Sequence, residues 1–541
     1  MAHKTWSQRI IFTLLIIFFL LFLVIPIIGL LSQSFYRDHH FTFAVYKDIF
    51  MNDEITTSFF NSLKVASLAA LITTILAFFM SYAMNMTQAH SLVKGYNKIM
   101  VLLPMLVPTI TYGFILMYIF GNEGLIKAIF GHIPFEIYGK NGLLIGYVIY
   151  TLPAAYLIIS DAFEYVNKRF YYVSQLLQDS PMRRFYHTLL RPLIVPIGNA
   201  FVLSFILSFT DFGIPASLGA DYSMVATSLY QMILGSIPKF AEGAVIAVMM
   251  LTPAIIGFIL LTILDKWNVK QESLNYTSLP KRPVHDVIIN IIAVVISTLI
   301  LLIFAVMFVV PFLKNYPYNN TFTLSHIINL FKDEILVHIY IQSLFVAICT
   351  AIFGVIISMA SAIIAVRTRI KGRRTMNVVS LIANTVPGMI LGLSYLVFFK
   401  NSSIKNTFLI IIISIIVHYY TTPFLLAKNA LEKLNPSWDI SSSLMKDKWY
   451  ETVFKVVIPN MKKTIIEMMN YYFINAMVTI SGVIFLVATA TQLVATEINQ
   501  LQHFNRFIDI FILSILICIT NIVVRGVASF ILYSQRKREG R

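Results

Sequence analysis

The stretch DISSSLMKDKWYETVFKVVIP, residues Asp439–Pro459, is a polar island in an apolar chain. Apolar runs flank it, Phe408–Leu426 before and Met477–Ala488 after. Lys446, Lys448 and Lys455 lie within it, and Lys462 and Lys463 follow. A loop this basic between membrane spans belongs on the cytoplasmic side. It is also patterned. Leu444, Val453, Val456 and Val457 recur at helical spacing, so a helix here has one apolar face. Such a face needs cover, from a partner or from the membrane surface.

The loop has a mate. Ser174–Pro192, SQLLQDSPMRRFYHTLLRP, also follows an apolar span, ends in proline and carries Arg183, Arg184 and Arg191. Two such loops suggest an internal duplication, and other short matches support it. Asn61-Ser62-Leu63 corresponds to Gln342-Ser343-Leu344 at an offset of 281. Val107-Pro108 and Gly113 correspond to Val386-Pro387 and Gly392 at 279. Tyr150-Thr151 and Pro153 correspond to Tyr420-Thr421 and Pro423 at 270. Thr210 and Gly213 correspond to Thr479 and Gly482 at 269, as does Val225-Ala226-Thr227 to Val494-Ala495-Thr496. Six spans per unit restore the orientation of the second half. The repeat is therefore parallel, with a pseudo-two-fold axis along the membrane normal and any path at the interface.

Composition agrees. Of 541 residues, 58% are hydrophobic and only 12% charged, too apolar for an ordinary soluble domain. The net charge of +16 sits in short loops between spans. The positive-inside bias explains it without nucleic acid. Cys349 and Cys518 lie in apolar runs, so neither a disulfide framework nor a thiolate metal site is indicated.

The pattern predicts an all-α integral membrane protein of about 12 spans with both ends inside. Residues 1–264 form the first repeat, with spans at Ile10–Leu31, Asn61–Met84, Leu102–Phe120, Gly142–Ile159, Leu193–Phe209 and Ala244–Leu264. Residues 265–286 are a polar cytoplasmic linker. Residues 287–541 form the second repeat, with spans at Val287–Phe312, Ser343–Val366, Val378–Phe399, Phe408–Leu426, Ile465–Val487 and Phe507–Tyr533. The basic loop Arg367–Arg374, RTRIKGRR, fixes the second half's orientation. Pro108, Pro153, Pro387 and Pro423 are expected to kink spans.

No G-x-x-x-x-G-K-[ST] phosphate loop is present, so energy must come from an ion gradient or from a partner ATPase. The chain itself is expected to bind no cofactor and to catalyse no reaction. Asp211, beside Thr210 at the outer end of the fifth span, is a candidate for the translocation path; a turn cap before Gly213 is its plainer role. Asn475, Thr479 and Ser481 occupy the matching region of the second half. Helix–helix glue is the plainer role for any one of them. His418 inside the tenth span reads as a packing residue.

The two inner loops resemble the signature of the inner-membrane permeases of bacterial ABC importers: E-A-A, three residues, Gly, nine residues, I-x-L-P. Anchored on Pro459, the A-A positions are Ser441 and Ser442, the Gly position is Lys446 and the last four are Val456–Pro459. Anchored on Pro192, they are Ser174 and Gln175, Asp179, and Leu189–Pro192. Neither copy has the Glu or the Gly, and Arg191 replaces an aliphatic residue. Ser208–Ile233 and Leu102–Gly124 look like the fused permeases of 2-aminoethylphosphonate import, with the ferric-iron permeases close by. The resemblance implies a type I importer fold, fused as two permease domains in a bacterial inner membrane. It implies two cytoplasmic ATPase subunits that use ATP and Mg, and an extracytoplasmic binding protein. The ATPases would dock on Ser174, Asp179, Arg183, Arg184, Phe185, Tyr186 and Pro192, and on Ser441, Ser442, Lys446, Trp449, Phe454 and Pro459. Phe185, Tyr186, Trp449 and Phe454 would be the large anchors. The expected substrate is a phosphonate, with ferric ion second. A gradient-driven secondary transporter is the rival class.

Overall fold

The computed structural model describes residues 6–37, 40–167, 169–266, 282–435, 437–445 and 448–538. Among these, nine helices are long and apolar enough to cross a membrane, and two bent helix pairs raise the number to eleven. The third, ninth, tenth and eleventh expected spans depart from the simple reading, the ninth breaking by 101° between Thr375–Thr385 and Gly388–Phe398. At Leu102–Phe120 the chain runs as helix Ser91–Leu102, a 3-10 turn Leu103–Leu106 and helix Thr109–Phe120. Pro104 and Pro108 remove the amide donors that a continuous helix needs there. The span expected at Ile465–Val487 ends at Val478, because Thr479 turns to an extended conformation. Helix Lys462–Val478 has 17 residues, and the chain beyond it tucks Gly482 against Gly388.

The duplication is physical. Helices Asp53–Met86 and Glu334–Arg367 have 34 residues each. Each starts at a carboxylate or amide cap: Asn52 accepts from Glu54 and Ile55 amides, Asp333 from the Leu336 amide. Pro108 and Pro387 both sit as caps before Thr109–Phe120 and Gly388–Phe398. The matching triplets bond to one another inside each half. The Val225 amide donates to Ser62 Oγ at 2.9 Å, and the Val494 amide donates to Ser343 Oγ at 2.8 Å. One fourth span stays continuous through Pro153, Lys140–Glu164. Its counterpart breaks by 55° between Phe408–His418 and Thr421–Lys433.

The first span of each half crosses over to the other half. The arm Trp6–Gln33 lies on the second repeat: Phe19 meets Tyr420 at 4.6 Å between ring centres, Phe22 stacks on Phe399 at 5.6 Å, and the Tyr395 hydroxyl donates to the Phe22 carbonyl. The arm Pro283–Phe312 lies on the first repeat. Asn290 donates to Thr87 at 2.9 Å, Tyr96 and Thr298 hydroxyls meet at 3.0 Å, and Phe304 meets Tyr112 edge-on at 5.7 Å. Lipid tails are as apolar as the helices, so close packing and interhelical hydrogen bonds hold such arms in place. Outside the spans, each arm leads into a small hairpin and a short helix. These are Tyr36–Arg37 with His40–Phe41 before Ala44–Phe50, and Leu313–Asn315 with Asn319–Phe322 before Ser325–Lys332.

Candidate functional site: paired inner loops and the interface between halves

Each inner loop is two short helices followed by a widened turn. In the first half these are Arg169–Leu176, Pro181–Phe185 and a π turn Tyr186–Leu190 that feeds Arg191–Thr210. In the second they are Ser437–Leu444, Trp449–Thr452 and a π turn Val453–Val457. The widening has one cause in both. Pro192 and Pro459 have no amide hydrogen, and the residue before each bonds one position further back, Arg191 to the Tyr186 carbonyl and Ile458 to the Val453 carbonyl.

Asp179 organises the first loop. It accepts from Ser174 Oγ at 2.8 Å, pairs with Arg183 at 3.4 Å, and its carbonyl accepts from Arg184 at 3.1 Å. Arg184 also donates to the Tyr171 hydroxyl at 3.3 Å, and the Arg282 guanidinium covers the Tyr171 ring at 4.3 Å. In the second loop Ser442 and Thr452 hydroxyls meet at 2.5 Å. The short helices match at an offset of 268, so Ser174 corresponds to Ser442, one residue later than the motif register gives. Ser441 and Pro459 are exposed, and Lys446 lies outside the described residues.

Two expected anchors are partly covered by the chain itself. Phe185 is half-buried with its ring edge-on to Phe78 at 6.1 Å, and Trp449 is half-buried against its own core. Val453 and Val457 are buried too, so that part of the apolar face read from the sequence closes onto the chain itself, while Leu444 at its other end stays exposed. The free apolar surface belongs to residues the motif does not mark. Leu176 and Leu177 are 83% and 71% exposed, and their counterparts Leu444 and Met445 are 78% and 77% exposed. Phe454 and Tyr186 are also exposed. A duplicated apolar pair at a helix end was the available signal, since both pairs stand at one offset.

The polar candidates near the fifth and eleventh spans are mostly engaged locally. Asp211 Oδ1 accepts from Thr109 at 2.9 Å, and Oδ2 accepts at 2.9 Å from the Ile214 amide in the first turn of helix Gly213–Leu218. Thr210 donates to the Ile206 carbonyl and Asn475 to the Tyr471 carbonyl, each one turn back on its own helix. Thr479 is buried and Ser481 half-buried. His418 sits at the bend beside Gly388. The halves meet nearby through other groups. Thr111 and Ser514 hydroxyls lie 2.8 Å apart, Asn521 donates to the Leu106 carbonyl at 3.0 Å, and Gln502 donates to the Ala216 carbonyl at 3.4 Å. Tyr230 and Phe485 rings are 6.3 Å apart across the same boundary. The paired inner loops and the seam between the halves thus repeat the pseudo-symmetry read from the sequence.

Comparison with known proteins agrees. The family model "Binding-protein-dependent transport system inner membrane component" matches residues 90–270 and again 354–533. The chain is 26% identical over 533 residues to the ferric transport system permease protein FbpB of Actinobacillus pleuropneumoniae, covering 94% of this chain and 76% of that one. It is 26% identical over 500 residues to the putative ferric transport system permease protein FbpB 1 of Haemophilus influenzae, covering 88% and 77%. A 154-residue stretch is 29% identical to the probable sulfate transport system permease protein cysT of Helicosporidium, covering 28% and 56%. With the family domain present twice in one polypeptide, the chain belongs to the binding-protein-dependent inner-membrane transport components, as a fused, multi-pass permease of an ABC importer.

Proposed function

We propose that this permease conducts ferric iron inward. The likeness to two ferric permeases along nearly the whole chain carries this reading. It reverses the order drawn from the sequence, in which a phosphonate stood first. The iron arrives on an extracytoplasmic binding protein. Two ATPase subunits hydrolyse ATP on the inner side, one on each inner loop, through Leu176 and Leu177 and through Leu444 and Met445. Their closure moves the inner loops and switches the seam between outward and inward openings. Uptake of radio-iron and of labelled 2-aminoethylphosphonate by a strain lacking this gene tests the substrate. Lost iron uptake with intact phosphonate uptake is expected. Intact iron uptake with lost phosphonate uptake would overturn it.

A further inference from the structure

Each arm carries one exposed apolar stripe. In the first it runs Ile10, Leu14, Ile17, Leu21, Ile25, Ile28; in the second Val284, Ile288, Ile291, Val295, Leu299, Leu302. The spacing of three and four residues keeps each stripe on one face, toward lipid. The arms have 28 and 30 residues. At 1.5 Å per residue they reach about 42 and 45 Å, the thickness of a bilayer with its headgroups. The hairpins begin at Tyr36 and Leu313, directly beyond the arms, and so emerge at the outer headgroup level.

The exposed apolar surface does not stop there. Phe41, Phe43 and Phe50 are exposed in the first unit, and Phe322, Ile328 and Phe331 in the second. Helix Ser325–Lys332 has one broad apolar face, Ile327, Ile328, Leu330 and Phe331, which the protein covers only in part. Leu330 is buried in the protein, Ile328 and Phe331 face outward, and Asn329 and Lys332 form the polar edge. On a soluble surface the protein covers the apolar side of such a helix; here Ile328 and Phe331 leave part of it open. Exposed Lys47 and Lys332 stand beside the apolar groups in their units, as at an anionic headgroup layer.

We propose that the two hairpin-and-helix units are lipid-binding floats seated in the outer headgroup layer. Their aromatic rings enter the upper acyl region and Lys47 and Lys332 meet lipid phosphates. Continuity with the lipid-facing stripes, repeated in both halves, favours the bilayer over a protein as the occupant. The floats hold the outer ends of the swapped arms at fixed depth while the inner loops move.

The test uses the full chain in nanodiscs containing phosphatidylglycerol, in a Cys349→Ala, Cys518→Ala background. A single cysteine at Phe322→Cys is labelled with an environment-sensitive fluorophore, and Asp48→Cys serves as the polar-side control. The Phe322 label should emit to the blue of the Asp48 label. It should be quenched by nitroxide lipids and resist aqueous iodide, with the Asp48 label showing the opposite. Equal iodide quenching at both sites would overturn the proposal. So would shielding of the Phe322 label that appears only after the purified binding protein is added. The unmodified chain gives an independent readout by photolabelling from a membrane-dissolved diazirine. Adducts within residues 36–51 and 313–332 support the floats, and a lack of them there, with adducts on the arms, refutes them.

Discussion

The double substitution Leu444→Ala, Met445→Ala tests the docking surface proposed for the second inner loop. Both side chains are more than three-quarters exposed, so removing them costs the free chain little. Burying a leucine or methionine side chain in a partner stabilises by about 1.5–3 kcal/mol, and roughly 1.5 kcal/mol each remains after allowing for the fraction already covered and the retained β-carbon. The pair then contributes about 3 kcal/mol, which corresponds to a loss of about a hundredfold in affinity. Titration of purified ATPase onto detergent-solubilised permease measures this directly, and ATP-driven uptake in proteoliposomes measures its consequence. Trp449→Ala is the contrasting variant. Its ring is half-buried within the chain, so the expected effect is a lower thermal midpoint with association largely kept. Unchanged ATPase affinity in the double variant would refute the docking argument, and the two exposed tips would then belong to the membrane surface.

Three further outcomes are expected. Ser62→Ala and Ser343→Ala each strand a buried amide, of Val225 and Val494; each should lower stability by about 1–3 kcal/mol in thermal unfolding, and the two effects should add because the sites are far apart. Gly113→Ala places a methyl group on the Ser217 side chain, whereas Gly392→Ala places one on the Gly482 backbone carbonyl; size-exclusion yield should recover in Gly113→Ala when Ser217→Gly is added, and no side-chain change should rescue Gly392→Ala. Burial pushes the Glu497 carboxyl above its usual 4.5, with Arg506 opposing and Asp333 reinforcing. The folded chain holds that proton more tightly than the unfolded chain, so this group's contribution falls as pH rises through 4.5 and beyond. Glu497→Gln should therefore raise the thermal midpoint at alkaline pH, with the gain vanishing below pH 4.5.

The duplication was legible because repeated backbone requirements leave repeated residues. Ser62 and Ser343 recur since each must satisfy the amide that opens a matching helix. Pro108 and Pro387 recur since each ends one helix and starts the next. What stayed hidden depends on long-range placement. Nothing in the spacing of Trp449 or Phe185 tells whether an aromatic ring turns toward a partner or toward Phe78. The early end of the eleventh span was equally invisible, because Ile480–Val487 is apolar enough to span but folds into turns around Gly482. The crossing of the arms leaves no local mark either. A lipid-facing stripe fixes one side of a helix and says nothing of which neighbour meets the other side.

The crossed arms set a schedule for synthesis. The groove of the first half that receives Tyr112, Thr87 and Tyr96 contacts is filled by residues 290–304, which leave the ribosome only after that half and the following connection are complete. The first half must therefore wait in the bilayer with an unfilled flank, while the first arm waits for a surface that does not yet exist. Joining the halves in one chain delivers the missing helix within seconds of translation, at a rate of about 5–20 residues per second. Two separate polypeptides would have to find each other by diffusion while both flanks lay open to lipid and to wrong partners.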